Sequence, residues 1–334
     1  APVAFFVLSG GESEMLRIDE FIASEEEYAG LVEIHNGAWP GEPTTLATVK
    51  HQDASRSPDR YFRRVIGRSG ERIVAAASAM ESSWSYRPGK YHVGINIHAA
   101  LESEAHRAQL YEVLVEALCR REPAPVLLTA NAREDKGEQM RFLTARGFSP
   151  VMRYPRSRLQ VNDFDFAPYA GLVERVESGG IGICSLSDLM KRDPEWQRKL
   201  YDLDWAGTQD EPTPEPITQL PFEEYVQRVF GGPDFLPDGN FIAIDGDEYV
   251  GLSSLERDLA RLDHLQTGFT CTRRSHRRRS IAMALKLKTI AYAKENGVKT
   301  IDTRNEENNP MYQINLKLGF QPMPAWSDYH KTIE

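Results

Sequence analysis

"RRSHRRRSIAMALK", Arg273 to Lys286, places five arginines in seven residues directly ahead of an apolar-patterned segment. The chain around it is acidic, with a net charge of -9 over 334 residues, so the cationic run needs a local explanation. From Ser280 to Glu295, Ala284, Leu287, Ile290 and Ala291 recur at helical spacing, Lys286, Lys288 and Lys294 fall outside that set, and Gly297 closes the run. This pattern predicts an amphipathic helix. Before the arginines, "HLQTGFTCT", His264 to Thr272, predicts a strand. A strand, a short loop and a helix in that order leave unpaired amides at the positive end of the helix dipole, where a phosphate or pyrophosphate satisfies them. The competing reading is a solvated basic patch that meets an acidic protein or a nucleic acid.

Further along, "VKTIDTRN", Val298 to Asn305, predicts a second strand parallel to the first, because strand, helix and strand with short connections favour a right-handed crossover. "NNPMYQINLKLGF", Asn308 to Phe320, then predicts a short helix with Met311, Ile314 and Leu318 on one side and Gly319 as terminator. These two stretches together resemble the GNAT superfamily of acyl-CoA-dependent N-acyltransferases. The family's pyrophosphate loop, [Q/R]-x-x-G-x-[G/A], is matched by Arg277-Arg278-Arg279-Ser280-Ile281-Ala282. Its second pattern, N-x-x-A-x-x-L-Y-x-K-x-G-F, is matched at Asn308, Met311, Ile314, Asn315, Lys317, Gly319 and Phe320.

Two departures bear on chemistry. Ser280 stands where the family loop has glycine, adding a side chain where backbone approaches phosphate. Asn315 stands where many members carry the tyrosine that protonates the departing thiolate, and an amide has no proton to give. Tyr312, one helical turn earlier, is the substitute candidate; its other reading is a ring packed over the cofactor or in the core.

An internal repeat extends the resemblance to the first half. "YHVGINIHAALESEAHRAQLYEVLVEAL", Tyr91 to Leu118, followed by "VLLTANARED" and "FLTARGF", gives strand, loop, helix, strand, helix and Gly-Phe in the same order. Registered without gaps over Ile97 to Tyr111, Glu102 falls on Arg277, Ala105 on Ser280 and Arg107 on Ala282; near the end of the unit, aligned separately, Lys136 replaces Asn308 and Leu143 replaces Asn315. Each change opposes cofactor binding. The resemblance therefore implies an α+β protein of two GNAT domains, each a mixed, mostly antiparallel sheet flanked by helices. Residues 1–165 are expected to form a degenerate copy and residues 166–334 the acetyl-CoA-binding copy, with the junction in the loop-prone "NDFDFAPYAG".

Composition is compatible with this. No run of 18 or more apolar residues occurs, and "APVAFFVLSGG" lacks the basic flank of a signal peptide, so a cytoplasmic protein without a membrane span is expected. Cys119, Cys184 and Cys271 are odd in number and lack metal-ligand spacing, which predicts reduced, mostly core cysteines and no metal. An acidic chain with one tight basic cluster is not expected to bind nucleic acid.

The resemblance implies direct attack of an amine of a small molecule or peptide on the thioester of acetyl-CoA, a cosubstrate. Thr270, Cys271, Thr272, Arg277, Arg278, Arg279, Ser280, Ile281, Ala282, Asn308 and Tyr312 would contact the cofactor. Glu256 or His264 is the candidate base, Tyr312 the candidate acid, and Asp210 and Glu211 the candidates for recognising a cationic amine. A catalytically silent acyl-CoA sensor or scaffold is the alternative function.

Overall fold

The structure, a computed structural model, describes residues 15–333; the N-terminal "APVAFFVLSGG" lies outside the described residues. The first half contains strands β1 (Arg17–Glu20), β2 (Phe62–Ser69), β3 (Arg72–Met80), β4 (Lys90–Ile97), β5 (Leu127–Arg133) and β6 (Ser149–Gln160). The second contains β7 (Gly182–Ser185), β8 (Phe241–Asp245), β9 (Glu248–Arg257), β10 (His264–Thr272), β11 (Thr300–Arg304) and β12 (Gln321–Thr332). Helices α1 (Glu25–Ala38), α2 (Leu46–Ala54), α3 (Glu104–Cys119) and α4 (Gly137–Ala145) belong to the first half. Helices α5 (Leu172–Ser178), α6 (Leu186–Arg192), α7 (Trp196–Thr208), α8 (Phe222–Tyr225), α9 (Ile281–Glu295) and α10 (Pro310–Lys317) belong to the second. From its first strand onward each half repeats the same series: strand, two helices, three strands, helix, strand, helix, strand; the second half adds the short α8.

The two sheets are fused. Among the described residues all twelve strands form one mixed sheet in the order β1-β2-β3-β4-β5-β12-β6-β11-β10-β9-β8-β7. Each half contributes its own first five strands and borrows the other half's closing strand. Thus β12 lies antiparallel to β5, with Tyr329 opposite Ala130, and β6 lies antiparallel to β11, with Ser157 opposite Thr303. The borrowed strands also fill the cores. Tyr329 packs with Leu110, Leu114 and Leu118, which recur every four residues along one face of α3. Leu159 packs with Leu287, Ile290 and Ile301 of the second half. Burying a side chain of this size stabilises the fold by about 1.5–3 kcal/mol, so each core depends on the other half's strand.

Three expectations need correction. The last helix is shorter than Asn308 to Phe320, because Asn309 caps it, its Oδ1 accepting from the Met311 amide at 2.9 Å, and Gly319 ends it at φ +87°. Lys286, expected on the polar side of its helix, is only 2% exposed; it faces a gap in the sheet described below. Only Cys271 is a core cysteine, since Cys119 is exposed and Cys184 half-buried.

Candidate active site

The site begins where two parallel strands part. β10 pairs with β11 only over His264–Gln266 and Thr300–Asp302, while β10 runs on to Thr272. A register shift between Thr267 and Thr270 bends β10 toward β9. From Thr267 onward the other edge of β10 has no strand partner, and its peptide groups face the gap. A cavity of about 510 Å³ occupies the gap, and Thr270, Cys271, Thr272, Arg277, Arg278, Ser280, Ile281 and Ala282 all line it. Lys286 and Met283 of α9 line it too, with Asn309, Pro310, Met311 and Ile314 opposite.

One end of this cavity is prepared for an anion. Ser280, the N-cap of α9, sits in the left-handed region at φ +62° and its side chain makes no capping hydrogen bond. The first backbone bond at this helix start runs from the Ala284 amide to the Ser280 carbonyl, so the amides of Ile281, Ala282 and Met283 point out of the helix end. Thr272 Oγ1, buried in the cavity wall, has no hydrogen-bond partner. Arg277 donates from Nε to the Thr272 carbonyl at 3.2 Å and pairs with Asp210, which Arg274 also grips through Nε at 2.7 Å. Those hydrogen bonds, from Arg274 above all, hold the Asp210 carboxyl below its usual range. Asp210 therefore anchors the arginine loop. Arg278 makes no ion pair among the described residues and lines the cavity.

Several expected contacts fall elsewhere. Arg279 turns away, donating to the Gly179 carbonyl at 3.0 Å with Asp245 at 3.7 Å. Asn308 is tied to Glu306 through its amide and side chain, both at 2.8 Å. Tyr312 is half-buried on α10 and is not among the lining residues. Asn315 is fully buried, donating to Asn305 Oδ1 at 2.7 Å while its own Oδ1 stays unpartnered.

A second, larger cleft of about 940 Å³ lies between the halves. It meets the first cavity at Glu211, Gly268 and Phe269, which line both. Glu256 of β9 stands at this meeting point. A side chain on Gly268 would run into the Glu256 carboxylate and come within 2.7 Å of Ser254 Oγ, so the glycine makes room for the carboxyl. Solvent reaches Glu256 and Glu211 through the cleft, yet the enclosing protein removes enough water to push both carboxyls up to about 7, with Asp234 adding to the first and Asp204 to the second. Asp204 is raised to about 6 by burial while accepting from Thr208 Oγ1 at 3.2 Å. His264 is placed differently. It is 2% exposed, hydrogen-bonded through Nδ1 to Thr300 Oγ1 at 2.7 Å, lowered to about 4 by burial, and lines neither cavity.

The sequence reading missed Lys286 and Asp204. Lys286 follows Ala282 by four residues and so shares its helix face. Burial lowers its ammonium to about 7.

The matching place in the first half is closed. β4 and β5 also pair only over Lys90–His92 and Leu127–Thr129 before parting. The ungapped registration needs correction here, because the loop from Ile97 to Glu104 is two residues shorter than that from Thr272 to Ile281. Ser103, not Ala105, therefore stands where Ser280 does. Its backbone is extended at φ -143° and its Oγ accepts from the His106 amide at 3.1 Å. Arg107 is 6% exposed, pairs with Glu102 and reaches the Ile95 carbonyl at 3.4 Å. The space left is divided, with Arg107 lining both parts: about 250 Å³ walled by Trp39, Tyr111 and Phe142, and about 350 Å³ beside Glu102, Ser103 and Glu104.

The solved structure of a tandem GNAT protein from the clavulanic acid biosynthesis pathway superposes on 95% of this chain and 98% of its own, with a TM-score of 0.70 and 17% identity. The chain has the tandem GNAT fold. A GCN5-related N-acetyltransferase from Sphaerobacter thermophilus matches over 94% of this chain and 95% of its own, with a TM-score of 0.67 and 13% identity. Saccharomyces cerevisiae N-myristoyltransferase, solved with myristoyl-CoA, matches over 97% and 80%, with a TM-score of 0.60 and 11% identity. No family model matches the chain, and no curated protein matches it by sequence. In this GNAT frame the parting strands are the fourth and fifth of each half. Among the described residues no group of three or more His, Cys, Asp or Glu side chains is placed to hold a metal, and no helix is long and apolar enough to cross a membrane.

Proposed function

We propose that the chain is an acyl-CoA-dependent N-acyltransferase that moves an acetyl group from acetyl-CoA to a primary amine of a small molecule or peptide. The observation that carries this reading is the meeting of the two cavities at Gly268 and Phe269, with the Glu256 carboxyl beside them. The pyrophosphate fits the free amides of Ile281 to Met283, with Arg277 and Arg278 adding charge-assisted hydrogen bonds. The pantetheine arm fits the unpaired edge of β10, which brings the thioester toward Gly268. An amine entering from the larger cleft then meets Glu256, whose carboxyl near 7 is poised to take its proton at neutral pH. The freed nitrogen attacks the carbonyl carbon, and backbone donors on the β10 edge steady the oxyanion. As the C–S bond breaks, the nitrogen gives up its second proton to water in the larger cleft and the thiolate leaves, with Lys286 suited to give it a proton.

The silent-sensor reading draws on Asn315, which is buried against Asn305 and offers the cavity no hydroxyl. Thiol release from acetyl-CoA in the presence of a panel of amines decides between them. Release that depends on the added amine is expected; saturable acetyl-CoA binding without any release would leave only the sensor.

A further inference from the structure

The larger cleft is electrically lopsided. On the second half's side stand three carboxyls, Asp204, Glu211 and Glu256, none of which makes an ion pair among the described residues. On the first half's side stands Arg60, in the loop between α2 and β2. Arg60 also has no carboxylate partner among the described residues. Its guanidinium lies 3.8 Å over the Tyr86 ring, Nη1 donates at 3.3 Å to the backbone carbonyl of Asp59, and Nε is a buried donor with no partner.

The neighbouring charges are already engaged. Arg56 pairs with Asp53 at 3.0 Å, and Arg228 with Glu224 at 2.8 Å. Glu81 accepts the Tyr61 amide at 3.0 Å, Glu215 lies 3.5 Å from Arg87, and Asp328, a further lining carboxyl without an ion pair among the described residues, accepts from Asn131 Nδ2. Lys90 donates to Ser85 Oγ at 2.6 Å and feels Glu215 and Asp328. A cation left without a counter-ion, lying over a tyrosine ring with one buried donor unsatisfied, is half of an anion site. Uncompensated carboxyls across the same cleft are half of a cation site.

We infer that the acceptor is an amine that also carries an anionic group, a carboxylate or a phosphate, which Arg60 binds while Glu256 and its neighbouring carboxyls hold the ammonium. This rests on the proposed acyl transfer. The acceptor then bridges the two halves, and the first half, closed to acyl-CoA, serves as the recognition wall.

The test uses acetyl-CoA with three amine series of graded chain length: uncharged alkylamines, ω-amino carboxylates and ω-aminoalkyl phosphates. The anion-bearing series should have a kcat/KM about tenfold or more above alkylamines of equal length, and whichever of the two is preferred identifies the anion. Arg60→Met should abolish that preference while acetyl-CoA affinity and thermal midpoint hold, and Arg60→Glu should shift preference to diamines. Equal turnover of charged and uncharged amines, or a preference that survives Arg60→Met, overturns the inference. If no amine is acylated, the transfer reading fails instead, and calorimetry with the same aminoalkyl phosphates decides this one: binding lost in Arg60→Met upholds it, and no binding, or binding indifferent to Arg60, sinks it.

Discussion

Ser103 and Ser280 occupy the same place, the residue before the helix that crosses the parted strands, and they do opposite things. Ser103 takes an ordinary extended backbone and spends its hydroxyl on its own helix. Ser280 is held left-handed, caps nothing, and leaves the helix end open. Behind each serine the contrast continues. In the first half Arg107 fills the gap with a side chain that brings its own counter-ion; in the second the gap is a 510 Å³ cavity with unpartnered donors. Even the carboxylate at the end of the third strand differs, since Glu81 is committed to the Tyr61 amide whereas Glu256 stands free. One fold thus carries a finished, self-satisfied site and an unfinished one. What is left unsatisfied marks where a ligand belongs.

The comparison breaks most visibly at Arg107. Arg107→Ala leaves Glu102 and the Ile95 carbonyl without their partner and should cost about 3 kcal/mol in denaturant unfolding, as breaking a buried ion pair does. Calorimetry of this variant should still give one acetyl-CoA per chain, because Ser103 keeps the helix end satisfied. Two sites of similar affinity would mean that the plug alone distinguishes the halves.

Glu256→Gln should lower turnover about 100-fold with acetyl-CoA affinity intact, the scale of losing a general base. The parent's rate should rise with pH up to about 7 as Glu256 ionises and fall above it as Lys286 loses its proton, and the rising limb should vanish in the variant. Stability gives a second readout. Because the folded carboxyl keeps a proton that the unfolded chain releases, stability conferred by the protonated form is lost as pH rises from the ordinary 4.5 to about 7. The variant should therefore gain stability over the parent above that window and not below it. Turnover within threefold of the parent would remove Glu256 from the reaction.

At the anion end, Arg278→Ala should weaken acetyl-CoA binding about tenfold, in the range of one charge-assisted hydrogen bond. Arg279→Ala, whose side chain is engaged with Gly179 and Asp245, should change affinity by less than about twofold on the same scale. The reverse order would redraw the loop. On the stability side, Ser280→Gly relieves a left-handed serine and should stabilise the chain by about 1 kcal/mol. A loss of stability there would mean that the hydroxyl has a role the backbone angle hides.

Much of this was legible in the sequence because it depends on neighbours along the chain. The strand His264–Thr272 and the helix from Ile281 follow local patterns, and each forms where expected. The residues that misled depend on distant partners. Asp210 looked like an amine-recognition carboxylate because its acidic loop gives no sign of folding back on Arg274 and Arg277, 64 and 67 residues away. Lys286 looked solvated because helical periodicity cannot register a gap in a sheet. His264 looked available because Thr300, its partner, lies on the next strand. The two-residue shortening before α3 left no mark in the ungapped registration, although Ser103 with its downstream helix is an ordinary capping signal that could have revealed it.

The exchanged closing strands set an order of events during synthesis. β5 is complete when Arg133 is made, but its sheet neighbour, β12, arrives only with Gln321–Thr332. At a translation rate of 5–20 residues per second that is a wait of about 10–40 s. Throughout it the first half presents an unpaired strand edge, the kind of surface that recruits other chains. β6 waits in turn for β11. The half that does no chemistry in the proposed scheme is thus the first to be made and among the last to be closed.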